Sequence, residues 1–254
     1  MKLATWNVNS LNVRLPHVLD WLTSNKPDVL CLQETKLEDF KFPYEAIAEA
    51  GYHSVHSGQK TYNGVAILSL APAEDVTFGI TNFIDHQKRV ISATVDSKRI
   101  VCAYFPNGQS VDSDKYIYKL RWIQALHDWL SKELKNHSEL VLLGDFNIAP
   151  EDKDCYDPVG WKDQVLVSQQ ERKAFKEFEA LGLVDTFRLF EQTDSSFSWW
   201  DYRMGAFRRN MGLRIDHILV SQALKNSCRA SYIDKEPRKL ERPSDHAPVV
   251  LELE

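Results

Sequence analysis

Apolar residues in this chain gather in short runs, and the runs alternate between two periods. "LATW", "PDVLCLQE", "GVAILSL", "RVISATV", "RIVCAYFPNG", "LVLLGD", "RIDHILVS" and "APVVLELE" are short and rich in β-branched or aliphatic residues, and they predict strands. Between them lie stretches with helical spacing. "NVRLPHVLDWLTSN" places Val13, Val18, Trp21 and Leu22 on its apolar faces. From Lys115 to Asn136, Tyr116, Leu120, Ile123, Leu130 and Leu134 recur at three, four and seven. "ERKAFKEFEALG" predicts a further helix stopped by Gly182. No fixed repeat and no linker rich in Gly, Ser or Pro divides the chain, so one α/β domain over residues 1–254 is expected, built on packed sheets.

The same polar residue types recur where the apolar runs stop. "LATW" runs into Asn7 and Asn9, and "VLCLQ" into Glu34. "IVCAY" ends on Tyr104 with Asn107 beyond, and "VLLG" meets Asp145 and Asn147. "LRI" meets Asp216, and "RPSDH" sets Asp245 and His246 before the last strand. In an extended chain Asp145 and Asn147 share a face. Singly, such residues are more often strand caps or turn formers. Gathered together they need a shared partner, since burying even a neutral unpaired polar group costs about 2–7 kcal/mol. A hard divalent cation takes Asp, Glu and Asn oxygens, and Mg²⁺ also leaves positions for a substrate phosphate. His246, with Asp216, adds an acid–base or electrostatic pair.

Composition changes this picture little. A net charge of −5 offers no global positive field for nucleic acid, although it leaves room for a local basic face. Cys31, Cys102, Cys155 and Cys228 lack the close pairs of a structural zinc site and suggest a reducing compartment. The N-terminus lacks a signal-peptide core and no stretch reaches transmembrane length, so a cytoplasmic protein without membrane partners is expected.

The ordered motifs "WNVNSLNVR", "PDVLCLQETK", "GYHSVHSGQKTYNGVAIL", "YFPNG", "LLGDFNIAP", "GLVDTFR", "FSWWDYR", "GLRIDHILVS" and "RPSDHAPV" span residues 6 to 249. Together they resemble the exonuclease III family of DNA-repair nucleases, within the group that includes DNase I and the inositol-polyphosphate phosphatases. The resemblance implies an α/β fold, a four-layer αββα sandwich of two mixed sheets faced by helices. It implies Glu34 as the principal Mg²⁺ ligand (Mn²⁺ a possible substitute), with Asn7, Asp145, Asn147, Asp245 and His246 around the metal. Asp145 would hold and deprotonate water and Asn147 would orient it. His246, oriented by Asp216, would contact the phosphate, and Tyr104 would assist at the phosphate or leaving oxygen. Either Asp145 or His246 could take the proton. Gln59, Lys60, Tyr62, Asn63, Arg89 and Asn107 match phosphate-contacting positions. Trp199, Leu213 and Ile215 would line a small apolar pocket for a base-free sugar. Arg203 and Phe207, with Arg208 and Arg209, sit in the groove-entering loop.

The implied activity is a Mg²⁺-dependent DNA-repair phosphodiesterase acting as a monomer on double-stranded DNA with abasic sites, nicks or blocked 3′ ends. Its expected reactions are 3′→5′ exonuclease, 3′-phosphatase and abasic-site endonuclease. A phosphoesterase for a small phosphorylated substrate is the competing enzyme class. A non-catalytic DNA-binding descendant would have lost some of Asp145, Asn147, Asp245 and His246, and all are present. One departure stands out. In "VLVSQQER", Leu166 and Val167 replace the small residue and Phe found in many relatives, and Gln169 replaces a Pro. The bulkier Leu166 is expected to narrow the abasic-site space and favour 3′-end processing.

Overall fold

The computed structural model describes residues 1–254. One sheet comprises β1 (Lys2–Asn7), β2 (Val29–Gln33), β3 (His53–Ser57), β4 (Val65–Ser69), β13 (Cys228–Ile233) and β14 (Val249–Leu253), in the order β13-β14-β1-β2-β4-β3. The other comprises β5 (Glu74–Phe78), β6 (Val90–Val95), β7 (Lys98–Tyr104), β8 (Leu140–Asp145), β9 (Leu183–Asp185) and β12 (Asp216–Ser221), in the order β5-β6-β7-β8-β12-β9. A two-residue pair, β10 (Trp199–Trp200) and β11 (Gly212–Leu213), lies outside both. The helices are α1 (Leu11–Asn25), α2 (Tyr44–Glu49), α3 (Asp114–Asn136), α4 (Gln169–Ala180) and α5 (Gln222–Lys225). None is long and apolar enough to cross a membrane.

Side-chain alternation explains the layering. Val29 and Cys31 of β2 meet Val141 and Leu143 of β8 in the core between the sheets. Their neighbours Leu30 and Leu32 point outward onto Trp21 and Leu22 of α1, while Leu140 and Leu142 point onto Trp122, Leu126 and Phe178 of α3 and α4. Strands buried on both faces read as unbroken apolar runs, which is why these strands stood out in the sequence. The strands that did not stand out, β3, β5, β9 and β13, all lie at sheet edges. β5 is largely open to solvent and β3 is buried only at its last two residues, so "HSVHS" and "EDVTF" carry no apolar run.

Each sheet has one parallel pair, β1 with β2 and β7 with β8, and every other pairing is antiparallel. The ends of those parallel pairs meet. Within the second sheet, Gly144 lets β8 lie close against β7: a Cβ there would sit 1.8 Å from the carbonyl oxygen of Ala103. α4 starts on a capping box, in which Ser168 and Glu171 satisfy each other's backbone N–H groups.

Candidate active site

Strand register assembles the site. Tyr104 on β7 pairs with Asp145 on β8, and Asp145 pairs with Asp216 on β12, so the three form one row across the second sheet. Asn7 closes β1 opposite Gln33, which puts Glu34 one residue beyond β2. Asp245 and His246 precede β14. Backbone contacts anchor that turn: Trp6 Nε1 donates to the His246 carbonyl at 3.2 Å, and Ser244 Oγ donates to the Asn7 carbonyl at 2.7 Å. Glu34 and Asn147 have φ of +53° and +51°, a left-handed conformation that side chains tolerate when their surroundings hold it.

The polar groups are closely coupled. Asn7 Nδ2 donates to Glu34 Oε1 and to Asp145 Oδ2, each at 2.8 Å. His246 Nδ1 lies 2.9 Å from Asp216 Oδ2, and its Nε2 lies 3.7 Å from Asp145 Oδ2. Ser198 Oγ donates to Asp216 at 2.6 Å. The Asn147 backbone N–H donates to Asp145 Oδ1 at 2.9 Å, and Asn107 Nδ2 donates to Asn147 Oδ1 at 3.0 Å. The Arg89 guanidinium covers the Tyr104 ring at 4.8 Å.

These contacts set the protonation states. Burial pushes the Asp145 carboxyl up to about 7, with Asp216 adding to the rise and His246 and Asn7 opposing it. Burial acts against charge on His246, but Asp216 and Asp145 outweigh it and hold the imidazolium up to about 10. Asp245 is also buried, yet His246, Asn9 and Trp199 keep it below the usual carboxylate range. Burial, reinforced by Glu34 and Asp145, lifts the Tyr104 phenol well above its ordinary value.

Glu34, Asp145 and His246 bring ligand atoms within 4.8 Å of one another, and with His246 protonated the two carboxyl groups are the donors suited to a cation. The acids outnumber nearby cations, which fits a site completed by a hard divalent ion. Three of the expected ligands already hold protein partners. Asn7 turns its amide nitrogen to the carboxylates, while its oxygen accepts from the Asn9 N–H at 3.0 Å. Each Asp245 oxygen accepts one hydrogen bond, from Asn9 Nδ2 at 2.9 Å and from Trp199 Nε1 at 3.0 Å, which orients the carboxylate and leaves it further lone pairs. Asn147 likewise engages its side chain with Asn107 and with the Phe105 carbonyl. Lys36 escaped the sequence reading, although it lies two residues beyond Glu34. Its Nζ sits 2.8 Å from Glu34 Oε2 and donates to Asn9 Oδ1 at 2.6 Å.

Beside the acids a cavity of about 770 Å³ is lined by Gln59, Tyr62, Asn63, Arg89, Tyr104 and Asn107. Lys60, between them in sequence, is exposed. Gln87, Lys115 and Tyr118 share this cavity without having been foreseen. Gln87 Oε1 receives Asn63 Nδ2 and two Arg89 N–H groups, so it orders both residues. On the other flank, Arg203 is exposed and paired with Asp201, while Phe207 packs edge-on against buried Trp200 at 5.0 Å. The expected open apolar pocket takes another form. Leu213 and Ile215 are 0% and 1% exposed, enclosed with Ala149, Leu166 and Val167, and half-buried Trp199 packs against the group. Leu166, with φ of +77°, fills the space that a smaller residue would leave open.

Residues 4–246 match the endonuclease/exonuclease/phosphatase family. The chain belongs to that family. It is 36% identical to exodeoxyribonuclease III of Haemophilus influenzae, with all of both chains covered. A 3′ phosphatase from Neisseria, solved bound to product DNA hairpin, is 50% identical with a TM-score of 0.99, covering 100% of this chain and 99% of that one. An AP endonuclease from Archaeoglobus fulgidus is 41% identical with a TM-score of 0.96, again covering 100% and 99%. The αββα sandwich and the nuclease kinship expected from the motifs are borne out. Within the endonuclease/exonuclease/phosphatase family, these relatives carry names for different reactions at DNA phosphates.

Proposed function

We propose that this chain is a DNA-repair phosphodiesterase that uses Mg²⁺, with Mn²⁺ as a substitute, and works chiefly at 3′ ends of double-stranded DNA. The observation that carries the reading is the meeting of Glu34, Asp145 and His246, with Asp216 behind the histidine, next to the cavity of Arg89, Tyr104 and Asn107. Glu34 would hold a divalent ion there, which would supply charge neutralisation at the phosphate. His246, kept cationic by two carboxylates, faces the same phosphate as a second positive group. Asp145 takes the proton of the attacking water, since its environment favours uptake of a proton, whereas His246 already holds one. Asn147 and Asn107 hold the water and phosphate oxygens in line. A bond forms from the water oxygen to phosphorus as the bond to the sugar oxygen breaks, and Tyr104 stands near the departing oxygen.

The preference for 3′ ends rests on Leu166. A base-free sugar inside a continuous strand needs an apolar recess, and here Leu166 occupies the recess against Leu213 and Ile215. A 3′-phosphate at a nick needs no such recess. One gel assay tests the reading, with a duplex carrying an internal abasic analogue and a nicked duplex ending in 3′-phosphate, each with Mg²⁺ or EDTA. Metal-dependent removal of the 3′-phosphate with slow abasic incision is expected. Equal rates on both would discard the Leu166 argument, and no activity on either would favour a small phosphoester substrate.

A further inference from the structure

A lysine and a glutamate lie fully buried behind the site, and no step of the chemistry uses them. Lys119 projects from α3 and Glu171 from the first turn of α4, both 0% exposed, and their charged groups are in direct contact. A buried pair of this kind stabilises a fold poorly, because desolvation offsets the attraction, so its other contacts matter more. The Lys119 ammonium donates to the main-chain carbonyls of Asn147 at 2.7 Å and Asn107 at 3.2 Å. Glu171 Oε1 receives the Leu166 N–H at 3.0 Å, and Oε2 receives the Ser168 N–H at 3.1 Å and the Ser168 hydroxyl at 2.5 Å. Tyr116 adds its hydroxyl to Ser168 Oγ at 2.5 Å.

The residues reached this way are telling. Asn147 and Leu166 both hold positive φ, at +51° and +77°, which a non-glycine residue keeps only when its neighbours enforce it. Asn107 and Asn147 are joined by a side-chain hydrogen bond at the phosphate side. One ion pair therefore grips both strained residues, one beside Asp145 and one in the apolar recess.

We propose that Lys119 and Glu171 are a positioning pair that holds Asn147 and Asn107 at the phosphate and Leu166 in its recess through one shared network. The proposal deepens the functional reading above and rests on it for the kinetic part. Neither residue touches substrate; each acts through main-chain groups.

Three variants test it: Glu171→Gln, the milder change; Lys119→Met; and the double variant Lys119→Met/Glu171→Met, which removes both charges. Asp185→Asn, which weakens a buried ion pair on the far side of β12, serves as comparison. Tm, kcat and KM on the 3′-phosphate duplex are measured together with backbone amide resonances. Glu171→Gln is expected to lower kcat on the order of 100-fold with KM nearly unchanged, as for a small misplacement of reacting groups. The double variant should recover Tm relative to Lys119→Met but not kcat. The Glu171→Gln amide shifts should reach Asn107 and Asn147 as well as Leu166 and Ser168, while Asp185→Asn leaves those four in place and keeps kcat. Recovery of kcat along with Tm, or shifts confined to Leu166 and Ser168, would overturn the proposal. If the unaltered chain proves inactive on both duplexes, the functional reading fails, and the amide shifts alone decide the coupling.

Discussion

Two buried polar clusters lie on opposite faces of β12 and begin at neighbouring residues. Asp216 faces the site, where Glu34, Asp145, Asp216 and Asp245 gather and His246 and Lys36 are the cations paired directly with them. His217 faces away, into a group in which Arg214 pairs with Asp154 at 2.6 Å and Asp185 at 2.8 Å, and Arg188 joins Asp154. There His217 takes an N–H from Arg214 at 3.1 Å and lies 2.8 Å from the Ile148 carbonyl, and the two arginines balance the two aspartates in charge. Both clusters are largely buried, but their charge balance differs. A matched cluster organises the fold, whereas an acid surplus leaves capacity for a cation and a proton, and that marks a site of reaction.

The largest effect that would sharpen this contrast is expected from Asp145→Asn. Removing the general base should cost about 10²–10⁴-fold in kcat on the 3′-phosphate duplex. Relief of the acid surplus should meanwhile raise the Tm of metal-free protein by about 2–4 °C. A fall in Tm on thermal denaturation would break the comparison. Arg214→Met should do the reverse. It leaves Asp154 and Asp185 buried without their shared partner and should cost about 3–5 kcal/mol of stability in urea unfolding. Its kcat, measured below its Tm, should stay near that of the unaltered chain.

The balanced cluster also predicts how stability depends on pH. Burial, with Arg214 alongside, lowers His217 from 6.5 to about 4, and burial lowers His56 to a similar value despite Asp39. Between those values the unfolded chain binds protons that the folded chain refuses. The contribution of these two histidines is therefore full above 6.5 and drains as pH falls toward about 4, by roughly 1–3 kcal/mol for each. His217→Gln should flatten part of that slope, and an unchanged slope would remove His217 as its source. The smallest expected effect comes from Leu166→Gly, which should raise abasic incision relative to 3′-phosphate removal by about tenfold, a change typical of opening an apolar recess.

The sequence carried much of this in plain view. Strands buried on both faces, such as β2 and β8, have unbroken apolar runs, and the acids and amides at their ends announce a site. Edge strands β3 and β5 were hidden because a half-solvated edge needs no apolar run. Lys119 was hidden for a different reason. It occupies the buried stripe of α3 between Tyr116 and Trp122, where its spacing says only that it faces inward. What it would meet there depends on α4, which lies tens of residues further along the chain.

By itself, then, the chain's pattern determined which residue types stand at which strand ends and which strands are buried on both faces, because burial and period-two alternation are local properties. Tertiary structure alone decided how those ends are used. Asn7 turns its nitrogen rather than its oxygen to the acids, Asp245 is oriented by Asn9 and Trp199, and Leu166 closes the recess over Leu213 and Ile215. Each outcome follows from partners distant in sequence, since hydrogen-bond direction and packing are settled only when those surfaces meet.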